Sequence, residues 1–273
     1  MPRSRPLPRH KTDRRSASER ETATRVNRAL WERQSDGYDR RFAPVLGGAK
    51  SAAWGLWRIP ERQLRLLGPV RGRRVLEVGC GGGRWAVALA ARGARVLGVD
   101  FSRAQLRHAR RVARRARRRI PLILASVERL PLAAASCDVV FCDWGALTFA
   151  DPRVGVPECA RVLRRGGRLV FATMSPLRAV ATSAKRGTIG RRFQRSYFDL
   201  HRLDFPREVN HTLPYGEWVQ LFAANGLQVR QLLEPAAPTR SSAYLTPREE
   251  RWARRWPMEV IWVTEKSDRG STR

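Results

Sequence analysis

The run Val75-Leu76-Glu77-Val78-Gly79-Cys80-Gly81-Gly82-Gly83 is followed, seventeen residues past its last glycine, by Val99-Asp100 at the end of a second apolar run. No other feature constrains the chain as much. Arg74 to Val78 predicts a strand whose apolar Val75, Leu76 and Val78 suit a sheet covered by helices on both faces. Gly79, Gly81, Gly82 and Gly83 can take positive φ and let a ligand lie against the backbone. Trp85 to Arg92 then predicts a helix closed by Gly93, and Arg95 to Val99 a second strand with Asp100 at its carboxyl end. Strand, glycine turn, helix, strand and terminal acid is how an open parallel sheet holds a nucleoside-bearing cofactor, with the acid accepting from the ribose hydroxyls. The competing interpretation is a structural turn beside a surface aspartate.

The glycine spacing narrows the cofactor. Gly79, Gly81 and Gly83 recur at every second residue with Glu77 two residues ahead, unlike the dinucleotide pattern G-x-G-x-x-G. The run resembles the first motif of class I S-adenosylmethionine-dependent methyltransferases, of the type 11 methyltransferase-domain family and an actinobacterial-like small-molecule type. That resemblance implies that Glu77 anchors the amino-acid end of S-adenosylmethionine. It makes Gly79, Cys80 and Gly81 the floor, adds Gly83 to the cofactor-binding residues, puts Asp100 on the ribose and lays Phe101 and Ser102 beside the adenine.

Further segments follow in the order that family requires. Ala125 to Pro131 is similar to the stretch bordering the adenine, which places Ser126 and Val127 there, with Ser126 where members often carry aspartate. Cys137 to Asp143 resembles the fourth strand, whose tip carries Cys142 toward the cofactor, and Leu163 to Phe171 the turn and fifth strand. Similar motifs run from Trp54-Gly55-Leu56-Trp57 to Val260-Ile261-Trp262, with Leu213 to Trp218 between them. The implied fold is α/β, a doubly wound seven-stranded mostly parallel sheet of the Rossmann-like methyltransferase kind, with a helical and loop cap and an antiparallel edge pair.

At 273 residues and 42% hydrophobic, the chain can bury one sizeable core. A single domain is expected over residues 26–265, with a lid at 26–70 and a substrate-cap insertion at 174–215. Residues 1–25 are expected to be a disordered basic arm, and 266–273 a tail. No apolar run approaches the roughly 20 residues of a membrane span, and no signal core is present, so a soluble cytoplasmic protein is expected. Cys80, Cys137, Cys142 and Cys159 lack metal-site spacing and are expected to be buried small hydrophobes, so no metal is assigned.

The formal charge is +30, carried by 50 arginines and four lysines. Residues 103–119 hold nine arginines and no acid. Ala109, Val112, Ala113, Ala116 and Ile120 recur there at helical spacing, which predicts an amphipathic helix with an arginine-covered solvent face. A charge run of this kind identifies no specific partner, although a phosphate track is the alternative.

The acceptor is expected to be a small organic molecule, methylated by direct in-line displacement. Two alternatives remain open. One is an RNA-directed methyltransferase using the basic arm and arginine helix; the other is a non-catalytic binding module on the same fold. Asp143-Trp144-Gly145-Ala146 stands where amino-methylating nucleic-acid enzymes carry D/N-P-P-aromatic, and no cysteine follows a proline. Trp31, Tyr38, Phe42, Trp54 and Trp57 make the lid region aromatic. His201, His211, Tyr197, Glu61 and Asp143 can titrate or accept a proton, but none is singled out as a catalyst.

Overall fold

The computed structural model describes residues 14–46 and 52–267. Seven strands build one sheet: β1 (Arg74–Val78), β2 (Arg95–Asp100), β3 (Leu122–Leu124), β4 (Cys137–Asp143), β5 (Leu163–Met174), β6 (Leu227–Leu233) and β7 (Glu259–Lys266). Their spatial order is β6-β7-β5-β4-β1-β2-β3. Strands β1 to β5 pair parallel, while β7 is antiparallel to both β5 and β6. The order reverses at β1 and β4, where ligands bind in open α/β sheets.

Alternation along the strands fills two separate cores. Leu76, Val78, Val140, Cys142, Phe171 and Trp262 face one side. Val75, Val139, Phe141, Val170, Ala172 and Ile261 face the other. Both sets are almost wholly buried, as a sheet covered on both faces requires. Among the described residues, the helices longer than one turn are α1 (Arg14–Leu46), α2 (Arg84–Ala91), α3 (Arg103–Arg115), α4 (Pro152–Val162), α5 (Pro176–Ala181), α6 (Tyr215–Ala224) and α7 (Pro247–Ala253). Helix α7 opens on a capping box in which Thr246 and Glu249 satisfy each other's backbone N–H.

Three expectations change. Residues 1–13 of the arm and 268–273 of the tail lie outside the described residues, but 14–25 begin a 33-residue helix rather than a disordered segment. The cause is tertiary: Ala23, Asn27 and Leu30 share one face of α1 and are buried. The arginine helix is also shorter than its apolar stripe predicts. It caps at Ala116, and Arg117 takes a left-handed φ of 52°, so Ile120 reaches the core from a loop. Gly79, Gly81 and Gly83 adopt positive φ, whereas Gly82 does not.

Residues 174–215 contain α5, a 3-10 turn (Tyr197–Asp199) and a small antiparallel pair, Arg202–Asp204 with Val209–His211. Upstream, Ala53–Trp54 pairs with Ile59–Pro60 in a hairpin. Trp54 is fully buried against Trp85 and Phe141, and its Nε1–H donates to Glu61 Oε2 at 2.6 Å. It packs the core and is no part of a lid.

Candidate cofactor and acceptor site

The carboxyl ends of β1, β2 and β4, together with α1, enclose a cavity of about 1090 Å³, its solvent-filled mouth included. The glycine turn is its floor. Gly79 N–H and Cys80 N–H both donate to Val99 O, at 2.8 and 2.9 Å, and hold the turn against β2. Gly79 has φ 69°, and a Cβ there would lie 2.3 Å from the Ala146 backbone nitrogen. Gly83, at φ 68°, meets α3 so closely that a Cβ would stand 2.9 Å from Ala109 Cβ. Only glycine fits either position.

Two buried carboxylates border this floor. Asp100 accepts from Gly81 N–H through Oδ2 and from Ser102 N–H through Oδ1, both at 2.9 Å. Burial pushes its carboxyl up to about 6 against the pull of those donors. Glu77 lines the same cavity, and its Oε2 is buried with no protein partner. Burial holds that carboxyl well above the usual range. An orphaned buried acceptor beside a glycine cradle fits a ligand that brings its own donors.

Of the other residues expected here, Cys80, Phe101, Ser126 and Val127 line the cavity. The Cys80 thiol is pushed well up by burial. Ser126 Oγ accepts from Glu128 N–H at 3.2 Å and lies 3.3 Å from Glu128 Oε2, so it closes a turn of its own. Ser102 and Cys142 do not line the cavity. Ser102 is wholly buried as the N-cap of α3, its Oγ accepting from Gln105 N–H. Cys142 faces a core, where burial raises its thiol to about 12.

Part of the cavity wall is aromatic. Trp31 meets Tyr38 and Phe149 edge to face, with ring centroids 5.2 and 5.7 Å apart, and Trp144 lines the same cavity. Burial raises the Tyr38 phenol well above its ordinary value. Asp143 lines the cavity as well, but both oxygens are engaged: Oδ1 accepts from Gly55 N–H at 2.8 Å and Oδ2 from Trp85 Nε1–H at 3.1 Å. Arg58 stands 3.9 Å away. The other titratable candidates lie elsewhere. Glu61 is buried in the core, accepting from Leu66 and Leu67 N–H. His211 is buried and held at about 4, with Nδ1 at 3.0 Å from His201 O. Tyr197 OH accepts from Tyr215 N–H.

A set of acids on α1 escaped the sequence reading, and one of them, Asp39, lines the cavity. Asp39 of α1 pairs with Arg84 at 2.7 Å and with His108 at 3.2 Å. Burial opposes its ionisation, but the Arg84 hydrogen bond and charge outweigh this and hold it below the usual range. Asp36 also meets His108, at 2.7 Å, and Glu32 accepts from the α3 N-terminal Arg103 N–H. The signal was available: acids at positions 32, 36 and 39 share one helix face in a strongly basic chain.

Residues 76–171 match the family described as "Methyltransferase domain". That match covers 96 of the chain's 273 residues, with the glycine turn, Asp100 and Asp143 among them. A demethylmenaquinone methyltransferase of Clavibacter sepedonicus is 34% identical over 147 residues, covering 54% of this chain and 57% of that relative. A ubiquinone biosynthesis O-methyltransferase of Idiomarina loihiensis is 40% identical over 105 residues, covering 38% of this chain and 43% of that relative. The match thus spans about half the length of these relatives. Among solved structures, an S-adenosylmethionine-dependent methyltransferase of Mesorhizobium loti superposes with a TM-score of 0.60 at 24% identity, covering 75% of this chain and 95% of that one. Geranyl diphosphate C-methyltransferase of Streptomyces coelicolor A3(2) gives 0.57 at 18% identity, over 77% and 78%. The sheet therefore has the same Rossmann-like fold as these structures.

One cavity thus brings the glycine turn and the Glu77 and Asp100 carboxylates together with the aromatic side chains of α1, Trp144 and Phe149. No helix among the described residues is long and apolar enough to cross a membrane.

Proposed function

We propose that this chain transfers a methyl group from S-adenosylmethionine to a small organic acceptor. The observation that carries this reading is the orphaned Glu77 Oε2 beside a glycine floor and Asp100, in one cavity whose wall is partly aromatic. Asp100 would accept from the ribose hydroxyls, Glu77 from donors at the amino-acid end, and Gly79 and Gly81 would let the ligand lie on bare backbone. Phe101, Ser126 and Val127 would border the adenine.

S-adenosylmethionine supplies a methyl group on a sulfonium: an acceptor lone pair forms the new bond at the methyl carbon as the C–S pair passes to sulfur, leaving S-adenosylhomocysteine. The chain's own part is positioning. Trp31, Tyr38, Trp144 and Phe149 hold the acceptor and exclude water at the aromatic part of the wall. Gly55 N–H and Trp85 Nε1–H hold both Asp143 oxygens in place, and direct displacement needs no base, with any acceptor proton lost to solvent. Alignment then supplies most of the rate enhancement. The names of the relatives make menaquinone- and ubiquinone-pathway compounds the first acceptors to assay.

Isothermal calorimetry with S-adenosylmethionine tests the cofactor half. Binding is expected for the native chain and is lost, or weakened at least tenfold, in Asp100→Ala. No heat in the native chain overturns the reading. Mass spectrometry of host extract incubated with methyl-labelled cofactor identifies the acceptor, and label confined to RNA would replace the small-molecule reading.

A further inference from the structure

One group of arginines that the cofactor site does not use gathers at a single edge of the sheet. Strands β1, β2 and β3 run parallel with their carboxyl ends at the cavity, so their amino ends form the opposite edge. Arg74 and Arg95 are direct partners in the β1–β2 register. Arg119 lies three residues before Leu122, just as Arg95 lies three before Gly98, the partner of Leu122. Neighbouring strands are about 4.8 Å apart, so Arg74 and Arg95 stand side by side at this edge, with Arg119 in the loop that leads into β3. Helices α2 and α3 end at the same edge and add Arg92, Arg115 and Arg118.

These side chains are exposed and mostly unpaired. Asp138, at the start of β4, already faces Arg73, Arg74 and Arg164. Arg92, Arg95, Arg115, Arg118 and Arg119 make no ion pair among the described residues, and all five are exposed. Holding so many cations together raises their mutual repulsion, which a polyanion relieves.

We infer that this amino edge docks the phosphate backbone of nucleic acid, away from the catalytic cavity and without regard to sequence. The group of guanidiniums matches phosphate, which arginine binds through paired N–H donors. A lipid surface fits less well. Peripheral membrane docking combines cations with inserted apolar side chains, and the exposed large hydrophobics of this molecule, such as Phe193, Phe198 and Trp256, lie in other segments. Strand β1 is five residues long, roughly 17 Å, so nucleic acid held at one end does not bring its bases to the cavity at the other. Docking there localises the protein and is separate from its substrate.

Fluorescence anisotropy of a labelled 20-nucleotide single-stranded RNA of mixed sequence, titrated with the full chain at several salt concentrations, tests this. The variant Arg95→Gln/Arg115→Gln/Arg119→Gln is compared with Arg251→Gln/Arg254→Gln/Arg255→Gln, which removes equal charge from another exposed surface. The first is expected to weaken binding at least tenfold and to lower the log–log salt slope by about 2, at roughly 0.7 per lost phosphate contact. The second is expected to change affinity less than threefold. Calorimetry with S-adenosylmethionine, unchanged in both variants, verifies the fold. Equal losses in the two variants would assign binding to net charge alone and overturn the inference. So would no loss in either, or an edge that binds phosphatidylglycerol vesicles but no RNA.

Discussion

Asn27 of α1 and Val209 of the cap pair in both directions: Asn27 Nδ2–H donates to Val209 O at 2.7 Å, and Asn27 Oδ1 accepts from Val209 N–H at 2.9 Å. The same Nδ2 donates to Phe149 O at 2.9 Å. One wholly buried amide thus joins the helix over the cavity, the cap strand and the segment carrying Phe149.

Asn27→Ala would leave a buried N–H and two carbonyls without these partners. A loss of about 2–4 kcal/mol is expected, read as a lower midpoint in urea unfolding. Because α1 carries Trp31 and Tyr38, cofactor or acceptor affinity is expected to fall with it. A variant as stable as the parent would show that water replaces the amide at no cost.

Asp100 predicts a pH dependence in cofactor binding. Its carboxyl is at about 6 in the folded chain against an ordinary 3.8, so the folded state holds this proton more tightly than the unfolded state does. Its contribution to the stability of the free protein therefore falls as pH rises from about 4 to about 6. In the proposed site the ribose hydroxyls would donate to the ionised form, so cofactor affinity is expected to rise over the same interval and level off above it. Calorimetry between about pH 5 and pH 8 measures this, and Asp100→Asn is expected to bind weakly with a flat profile.

Glu259 gives a separate pH signature, in stability. It is wholly buried on β7, accepts from Leu56 N–H and Trp144 Nε1–H, and burial pushes it up to about 7 from 4.5. The shift is upward, so stability is lost as pH rises through that window, by up to about 3 kcal/mol. Glu259→Gln is expected to flatten this part of the melting-temperature profile between about pH 5 and pH 8. An equally steep profile in the variant would assign the titration to another group.

Gly79→Ala is expected to be the most damaging single methyl in the molecule. It combines a left-handed φ with a backbone atom 2.3 Å from the new Cβ. A loss of more than about 2 kcal/mol and undetectable cofactor binding are expected, by thermal melt and calorimetry. Gly216→Ala, in a helix with open space around its Cβ position, is the matched control and is expected to be neutral or stabilising.

Local sequence carried most of the fold. The two-residue alternation of Val75/Leu76 and Val139/Val140 separates the two cores, and the glycine spacing forms the turn it implies. What stayed hidden depends on long-range contact. Residues 14–25 read as disordered because their helix is justified only by what Ala23 and Asn27 bury against. Ser102 and Cys142 sit next to true wall residues in sequence, yet a cap and a strand pleat turn them inward. The engagement of both Asp143 oxygens comes from Gly55 and Trp85, which lie 88 and 58 residues away along the chain.

Thr24, Trp31 and Tyr38 all face the cavity from one helix, and they are seven residues apart. Two helical turns separate each pair, about 10.5 Å along the axis. The width of the chamber is therefore graduated along a single rod, which does not belong to the glycine turn. A change at one mark on that rod resets what can enter while the methyl-donor residues stay as they are. Divergence of acceptors among chains of this kind would then be written as substitutions at heptad intervals in α1.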